Sequence, residues 1–402
     1  MKVAFVSPSF WSGKRKDFYK PGDQIYDHPL PLEEKGTLVR CIKSMKKLKD
    51  KDFTFILISA ATRPEVENEV DRKIRSLIEE TRTKFDIKVF GYQELRRLKR
   101  YLQKKGKKGL LWPLHMYGYA GIRNMCLLAA HILGVDIAIS IDDDVVFEDP
   151  NYMKKAKEFI GKKKGQDRPL AIYGPYQYGK SAPDWEKIET PVWRTYWDNV
   201  APARKAWEKF ILSKGRLKET SYVVMSNIVV HKDFFTKVPL DPNINRGEDM
   251  DWVVNALMFG YKFFVDNKLR VRHLPPPRTH PAWRLTGEDI KRYIYARAKV
   301  RSLEKHKGIP KEYFDPFPGE FLKDDLEERI FKTNIMLAME SLVNKDFEGA
   351  KGCLENIHLA KYKARPKFDP YVHMVKFQGV WEKLMNYVEK HRDELQKLIF
   401  KS

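Results

Sequence analysis

Residues 118–150, GYAGIRNMCLLAAHILGVDIAISIDDDVVFEDP, decide how this chain is read. The apolar run from Val135 to Ile141 is followed at once by Asp142, Asp143 and Asp144. A short apolar run between helical and turn signals predicts a buried strand. Three adjacent carboxylates at its end repel one another unless a cation sits among them. In a parallel α/β sheet the ligand crevice lies beyond the carboxyl ends of the strands, where this triplet falls. The residues before the run, Gly118 to Leu133, read as the helix that feeds it. Taken alone, a run of three Asp is also compatible with a solvated turn or a helix cap.

Working outward, the same alternation continues on both sides. Val3 to Val6 predicts a first strand ending at Ser7-Pro8-Ser9, Leu38 to Leu48 a helix, Phe53 to Ile58 a strand, Val66 to Leu77 a helix and Ile87 to Phe90 a strand. Downstream, Asp149-Pro150 predicts a helix start. Strands are expected at Leu170 to Tyr173, Tyr222 to Val230, Tyr261 to Val265 and Leu269 to Val271, with a helix over Glu248 to Phe259. The fold class is therefore α/β, with a doubly wound, mainly parallel sheet. The stretch Gly174 to Val200, rich in Pro, Gly, Tyr and Trp, predicts a long loop suited to a lid, whose aromatics would stack on a ligand ring or form local core. From Gly287 only helical patterns remain, including Val375 to Leu398 and a hairpin around LAMESLVNKDFEGAKGCLENI. The expected division is a catalytic domain over 1–286 and an all-helical domain over 287–402.

Composition narrows the partners. The 402 residues are 43% hydrophobic, enough for real cores, and carry a formal charge of +22. Residues 287–402 contain 23 Lys and Arg against 19 Asp and Glu, a net of +4, which leaves +18 on the part that bears the acidic triplet. Such a surface favours phosphate esters, acidic lipid headgroups or nucleic acid. The same excess also fits a Lys-rich solvated surface of a heat-adapted protein. The segment Leu95 to Leu114 joins a basic helix to an apolar stretch with Trp112, a pattern suited to peripheral contact with an anionic membrane unless its leucines face the core. Cys41, Cys126 and Cys353 are too scattered for a metal site or a disulfide framework, which predicts a reducing cytoplasm. No stretch reads as a membrane span.

Four clusters carry chemistry: Arg123-Asn124, the triplet, Glu248-Asp249-Asp251, and His273. Their order resembles GT-A glycosyltransferases, especially family-2-like ones. The quoted stretch is similar to the helix and strand leading to the DXD metal motif of that family. MSNIVVHKDFFTKVPLDPNINRGEDMDWVVNALMFGYKFFVDNKLRVRHLPPP, residues 225–277, is similar to its second half with an ED motif and a late metal-binding His. VAFVSPSF and GTLVRCIKSM are similar to its first strand and helix. The resemblance covers roughly residues 1–284.

The resemblance implies a metal-dependent transfer of a hexose from a nucleotide-diphosphate sugar, UDP- or GDP-hexose, to an acceptor hydroxyl on a saccharide or lipid-linked acceptor, with inversion. It implies that Asp142 and Asp143 contact the nucleotide, that Asp144 and Asp142 hold the metal, and that His273 completes the metal site, with His280 as a competitor. Arg123 would face the diphosphate, and Ser7 and Pro8 would line the base and ribose pocket. Asp249 would be the general base, and Glu248 would position sugar or acceptor. Asp249 shares a helix face with Val253, although acids in a first helical turn also simply offset the helix dipole. Oxygen ligands plus at most one imidazole suit Mn²⁺ or Mg²⁺ better than Zn²⁺. Two other classes remain. A sugar nucleotidyltransferase would need a Gly-rich phosphate loop that is not found near the first strand. A nucleic-acid-binding protein explains the charge and the 13% aromatic content, yet leaves the triplet without a purpose, since carboxylates repel phosphate.

Overall fold

A computed structural model of the protein describes residues 1–18, 20, 22–177, 191–277 and 280–400. The chain opens with β1 (Val3–Ser12) and a two-residue strand β2 (Leu30–Pro31). It then alternates through α1 (Leu38–Met45), β3 (Thr54–Ala61), α2 (Glu67–Glu79), β4 (Asp86–Phe90), α3 (Tyr92–Lys104), α4 (Gly118–Ile132) and β5 (Ile137–Ile141). After the Asp triplet come β6 (Val145–Val146), α5 (Tyr152–Phe159), β7 (Ala171–Tyr173), β8 (Tyr176–Gln177), α6 (Val200–Trp207), β9 (Leu217–Glu219), β10 (Asn227–His231), α7 (Lys232–Phe235), α8 (Glu248–Met258), β11 (Phe264–Asp266) and β12 (Val271–His273). The remainder is helical: α9 (Ala282–Lys307), α10 (Leu326–Val343), α11 (Phe347–Tyr362), α12 (Pro370–Lys390) and α13 (Arg392–Ile399).

The main sheet has the order β4-β3-β1-β5-β10-β7-β11-β9, with β2 beside β1. β4, β3, β1 and β5 are parallel, while β10 runs antiparallel between β5 and β7. Every residue of β5 is buried, as expected for a strand covered on both faces. A second sheet, β6-β12-β8, stands beyond the end of β5. A mostly parallel sheet flanked by helices, followed by an all-helical C-terminal region, is the architecture expected from the sequence pattern.

Several boundaries differ from expectation. β1 does not stop at Ser7 but pairs with β3 as far as Trp11 opposite Ala61. Pro8 is tolerated there because pairing with β5 has already ended at Val6. Only the end of the predicted strand over Tyr222 to Val230 forms β10; the residues before it leave the sheet. The helix predicted at Asp149 starts at Tyr152, and the Asp149 carboxylate accepts the Asn151 N–H at 2.9 Å instead. The predicted helix over Val375 to Leu398 breaks at His391, which lets α13 pack on α3. Leu95, Leu98 and Leu102 of α3 are buried, so the apolar face of the basic helix belongs to the core and is withheld from any membrane surface. No helix among the described residues is long and apolar enough to cross a membrane.

The C-terminal helices are fastened to the α/β body through its core. Trp381 on α12 is fully buried, and its indole N–H donates to the Phe235 carbonyl at 2.9 Å. Truncating such a side chain costs about 3–5 kcal/mol. His131 on α4 bonds the Met385 carbonyl at 3.0 Å, and Gln396 donates to that of Ile132 at 2.8 Å. Trp193 packs with Leu337 and Cys353, and Trp197 with Tyr293 and Phe321. These aromatics of the expected lid are local core. Residues 178–190 of that loop lie outside the described residues.

Candidate active site

β5 delivers the triplet to the end of the parallel half of the sheet, and each carboxylate meets different partners. Asp142 accepts from the Arg123 guanidinium on α4 and from the Ser226 hydroxyl just before β10. Burial pushes its carboxyl up, but Arg123 and Ser226 outweigh burial and hold it below the usual range. Ser226 belongs to residues 222–226, the part of the expected strand that lies outside β10. Asp143 accepts from Ser9 on β1 at 2.5 Å and from Thr37 at the start of α1 at 3.0 Å. Burial, then the charge of Asp144, pushes its carboxyl up to about 7.

Asp144 lies next to His273, with Oδ2 3.2 Å from Nε2. The small sheet makes this contact: β6 pairs with β12 so that His273 sits opposite Val145, and the Leu274 N–H donates to the Asp144 carbonyl at 3.1 Å. Tyr176 on β8 stacks on the imidazole, with ring centroids 4.8 Å apart. Its hydroxyl accepts the Ser226 N–H at 2.9 Å, so one ring braces both His273 and the Asp142 partner. His280 is held elsewhere, buried near Arg284, Asp27 and Arg246, and burial lowers its imidazole to about 4.

Glu248 and Asp249 begin α8, where acids offset the positive end of the helix dipole. Both line a cavity of about 240 Å³ together with Asp142, Asp144, His273 and Arg123. Glu248 is 3.8 Å from the Arg123 Nε; burial and then the Asp249 charge push its carboxyl up to about 8. Asp249 accepts the Met250 N–H at 2.8 Å and is also shifted upward, by burial first. Asp251 turns away from the cavity to the buried Lys299 of α9, 2.7 Å away, which also binds Asp241 at 2.7 Å. Of the residues expected at the site, Ser7 and Pro8 are inside β1 and do not line this cavity, whereas Phe10 does.

Arg246 and Arg292 also line the cavity. Arg246 pairs with Asp27 at 2.9 Å and with Asp289. Arg292 comes from α9, in the region where only helical patterns were legible. Ser226, Arg246 and Arg292 escape sequence reasoning, although Arg246 directly precedes the Gly247-Glu248-Asp249 run; Tyr176 falls in the aromatic-rich stretch expected to form a lid.

Among the described residues no three His, Cys, Asp or Glu side chains form a group that holds a metal by itself. Asp144 and His273 nevertheless fit a hard divalent cation that takes further oxygens from a substrate: Asp144 Oδ1 is buried without a hydrogen-bond partner among the described residues, and the imidazole meets Oδ2.

No protein-family model matches the chain, and no curated protein matches it. Among solved structures it is similar to the mannosyltransferase PcManGT from Pyrobaculum calidifontis in complex with GDP-Man and Mn²⁺, at 12% identity over 97% of this chain and 87% of that one, with a TM-score of 0.47. It is also similar to a mycobacterial protein, at 14% identity over 77% and 76% of the two chains, TM-score 0.39. A third is the apo form of mouse xyloside xylosyltransferase 1, at 11% identity over 65% and 76%, TM-score 0.29. Each is a likeness of outline alone. Two of the three are glycosyltransferases by name.

Proposed function

We propose that this cavity is the active site of a metal-dependent glycosyltransferase, moving a hexose from a UDP- or GDP-hexose to an acceptor hydroxyl with inversion. The observation that carries the reading is the pairing of β6 with β12, which sets His273 beside Asp144 in the same cavity as the Glu248–Asp249 pair. Asp144 and His273, with Asp142 adjacent, would hold Mn²⁺ or Mg²⁺. When bound, the cation supplies neutralisation of the charge that builds on the leaving diphosphate. Arg123 adds a fixed positive charge under Asp142. Asp249 takes the proton from the acceptor hydroxyl; its upward shift brings the base nearer to working pH. Glu248, protonated near neutrality, orients a sugar hydroxyl by hydrogen bonding. Residues 1–286 would carry this chemistry, and the helices after them complete its wall through Arg292.

Calorimetric titration of UDP and GDP, with and without Mn²⁺, against the protein and Asp144→Ala tests the reading. Binding of one nucleotide that needs both Mn²⁺ and Asp144 is the expected result. No metal-dependent nucleotide binding, with salt-sensitive affinity for RNA or DNA in its place, would move the chain to the nucleic-acid class.

A further inference from the structure

A second cavity, of about 380 Å³, opens where the first turns of α9 meet the N-terminal loop, the start of α4 and α11. Its wall shares three chain segments with the first cavity. Gly118 lines the second and Tyr119 the first; Asn245 and Arg246 divide in the same way, as do Lys291 and Arg292. Consecutive Cα atoms are about 3.8 Å apart, so the two cavities adjoin along these segments. On α9, Trp283, Gly287 and Lys291 recur every four residues and line the second cavity as one helix face.

The lining has a particular chemistry. Trp283 is partly buried and seated on α11: a Cβ at Gly352 would come within 2.3 Å of the indole Cε3, so the absent side chain makes room for the ring. The Trp283 carbonyl accepts from Asn356 Nδ2 at 2.8 Å, which fixes the start of the helix. Gln24 is oriented by the Gly118 N–H, which its amide oxygen accepts at 3.0 Å. Glu288 and Lys291 pair at 2.5 Å. Of the charged groups in the lining, Lys291 pairs with Glu288 and Asp23 with Arg63 at 2.8 Å, while the Arg284 guanidinium lies 5.5 Å from the centroid of the Trp283 ring. An aromatic plate flanked by a guanidinium, and amides that both donate and accept, suit a molecule with an apolar C–H face and vicinal hydroxyls, each of which is donor and acceptor at once.

We infer that the second cavity is a saccharide subsite, taking a pyranose unit of the acceptor whose reacting hydroxyl lies in the first cavity. The assignment to an acceptor rests on the glycosyltransferase reading; the binding of a saccharide does not. The test is saturation-transfer NMR and calorimetry of the full chain with neutral di- and trisaccharides of gluco, manno and galacto configuration, without nucleotide or metal. At least one sugar binds, and both Trp283→Leu and Lys291→Gln weaken it at least ten-fold while leaving Mn²⁺-dependent UDP or GDP binding unchanged. Lys291 is half exposed, so its variant keeps the test valid if Trp283→Leu fails to fold. A panel in which nothing binds, or binding indifferent to the Lys291 and Trp283 changes, overturns the subsite. Saccharide binding without metal-dependent nucleotide binding would retain the subsite and remove the transferase reading.

Discussion

Arg292 on α9 places its Nη2 4.0 Å from the Asp249 Oδ1 on α8, and it reaches there over Gly247. A Cβ at position 247 would lie 1.9 Å from the Arg292 Nε, and the backbone there has φ +77, a conformation that favours glycine. Gly247→Ala therefore displaces Arg292 from Asp249 and strains the entry to α8. The expected loss is about 1–3 kcal/mol in denaturant unfolding, together with a fall in transfer activity. An alanine variant as stable as the parent would show that neither strain nor clash is present.

Lys299 is fully buried between Asp241 and Asp251, which also buries the Tyr295 hydroxyl against Asp241 at 2.9 Å. The cluster ties α9 to the helix that carries Glu248 and Asp249. Lys299→Met leaves two carboxylates without their cation and costs about 3–5 kcal/mol. Adding Asp241→Asn and Asp251→Asn restores part of that loss. Guanidinium unfolding of the single and triple variants measures both, and a triple variant weaker than the single one contradicts the account.

Tyr176 braces His273 with its ring and Ser226 with its hydroxyl. Tyr176→Ala removes both contacts and is expected to weaken Mn²⁺-dependent nucleotide binding about 10–100-fold, as for other groups that orient a metal ligand. Tyr176→Phe keeps the stack and loses less. Calorimetry on the two variants separates the contributions; equal losses would assign the whole effect to the hydroxyl.

Glu248 ties stability to pH. Its carboxyl titrates at about 8 in the folded chain against an ordinary value of 4.5. Between these values the folded protein keeps a proton that the unfolded chain has released. Stability from this group is therefore complete below about 4.5 and declines as pH rises through about 8. Glu248→Gln flattens the fall of Tm across that window and is more stable than the parent at its alkaline end. Thermal melts in matched buffers read the difference, and parallel curves for parent and variant would rule out the shifted carboxyl.

Much of the candidate site was legible because its signals are local. The apolar run before Asp142, the acids opening α8 and the His closing β12 each sit at the end of a recognisable element. Pro8 was read as a strand end, although β1 continues along β3 past it. The leucines of α3 fit either a membrane or a core, and only the packing of α3 on the body chose. Arg292 carried no signal, since an Arg on a helix with many charges has the look of a solvated residue.

Sequence by itself determined the kinds of element, their order and the placement of the acids at strand and helix ends, because side-chain periodicity and strand-end chemistry act over a few residues. Tertiary structure decided which groups meet. Asp144 and His273 are 129 residues apart, and their contact follows from the pairing of two short strands, Val145–Val146 and Val271–His273, a pairing that the pattern of neither strand specifies. Arg292 reaches Asp249 only because α9 packs on α8 with a glycine between them. Such contacts depend on how whole elements share buried surface, and no local stretch of chain encodes that.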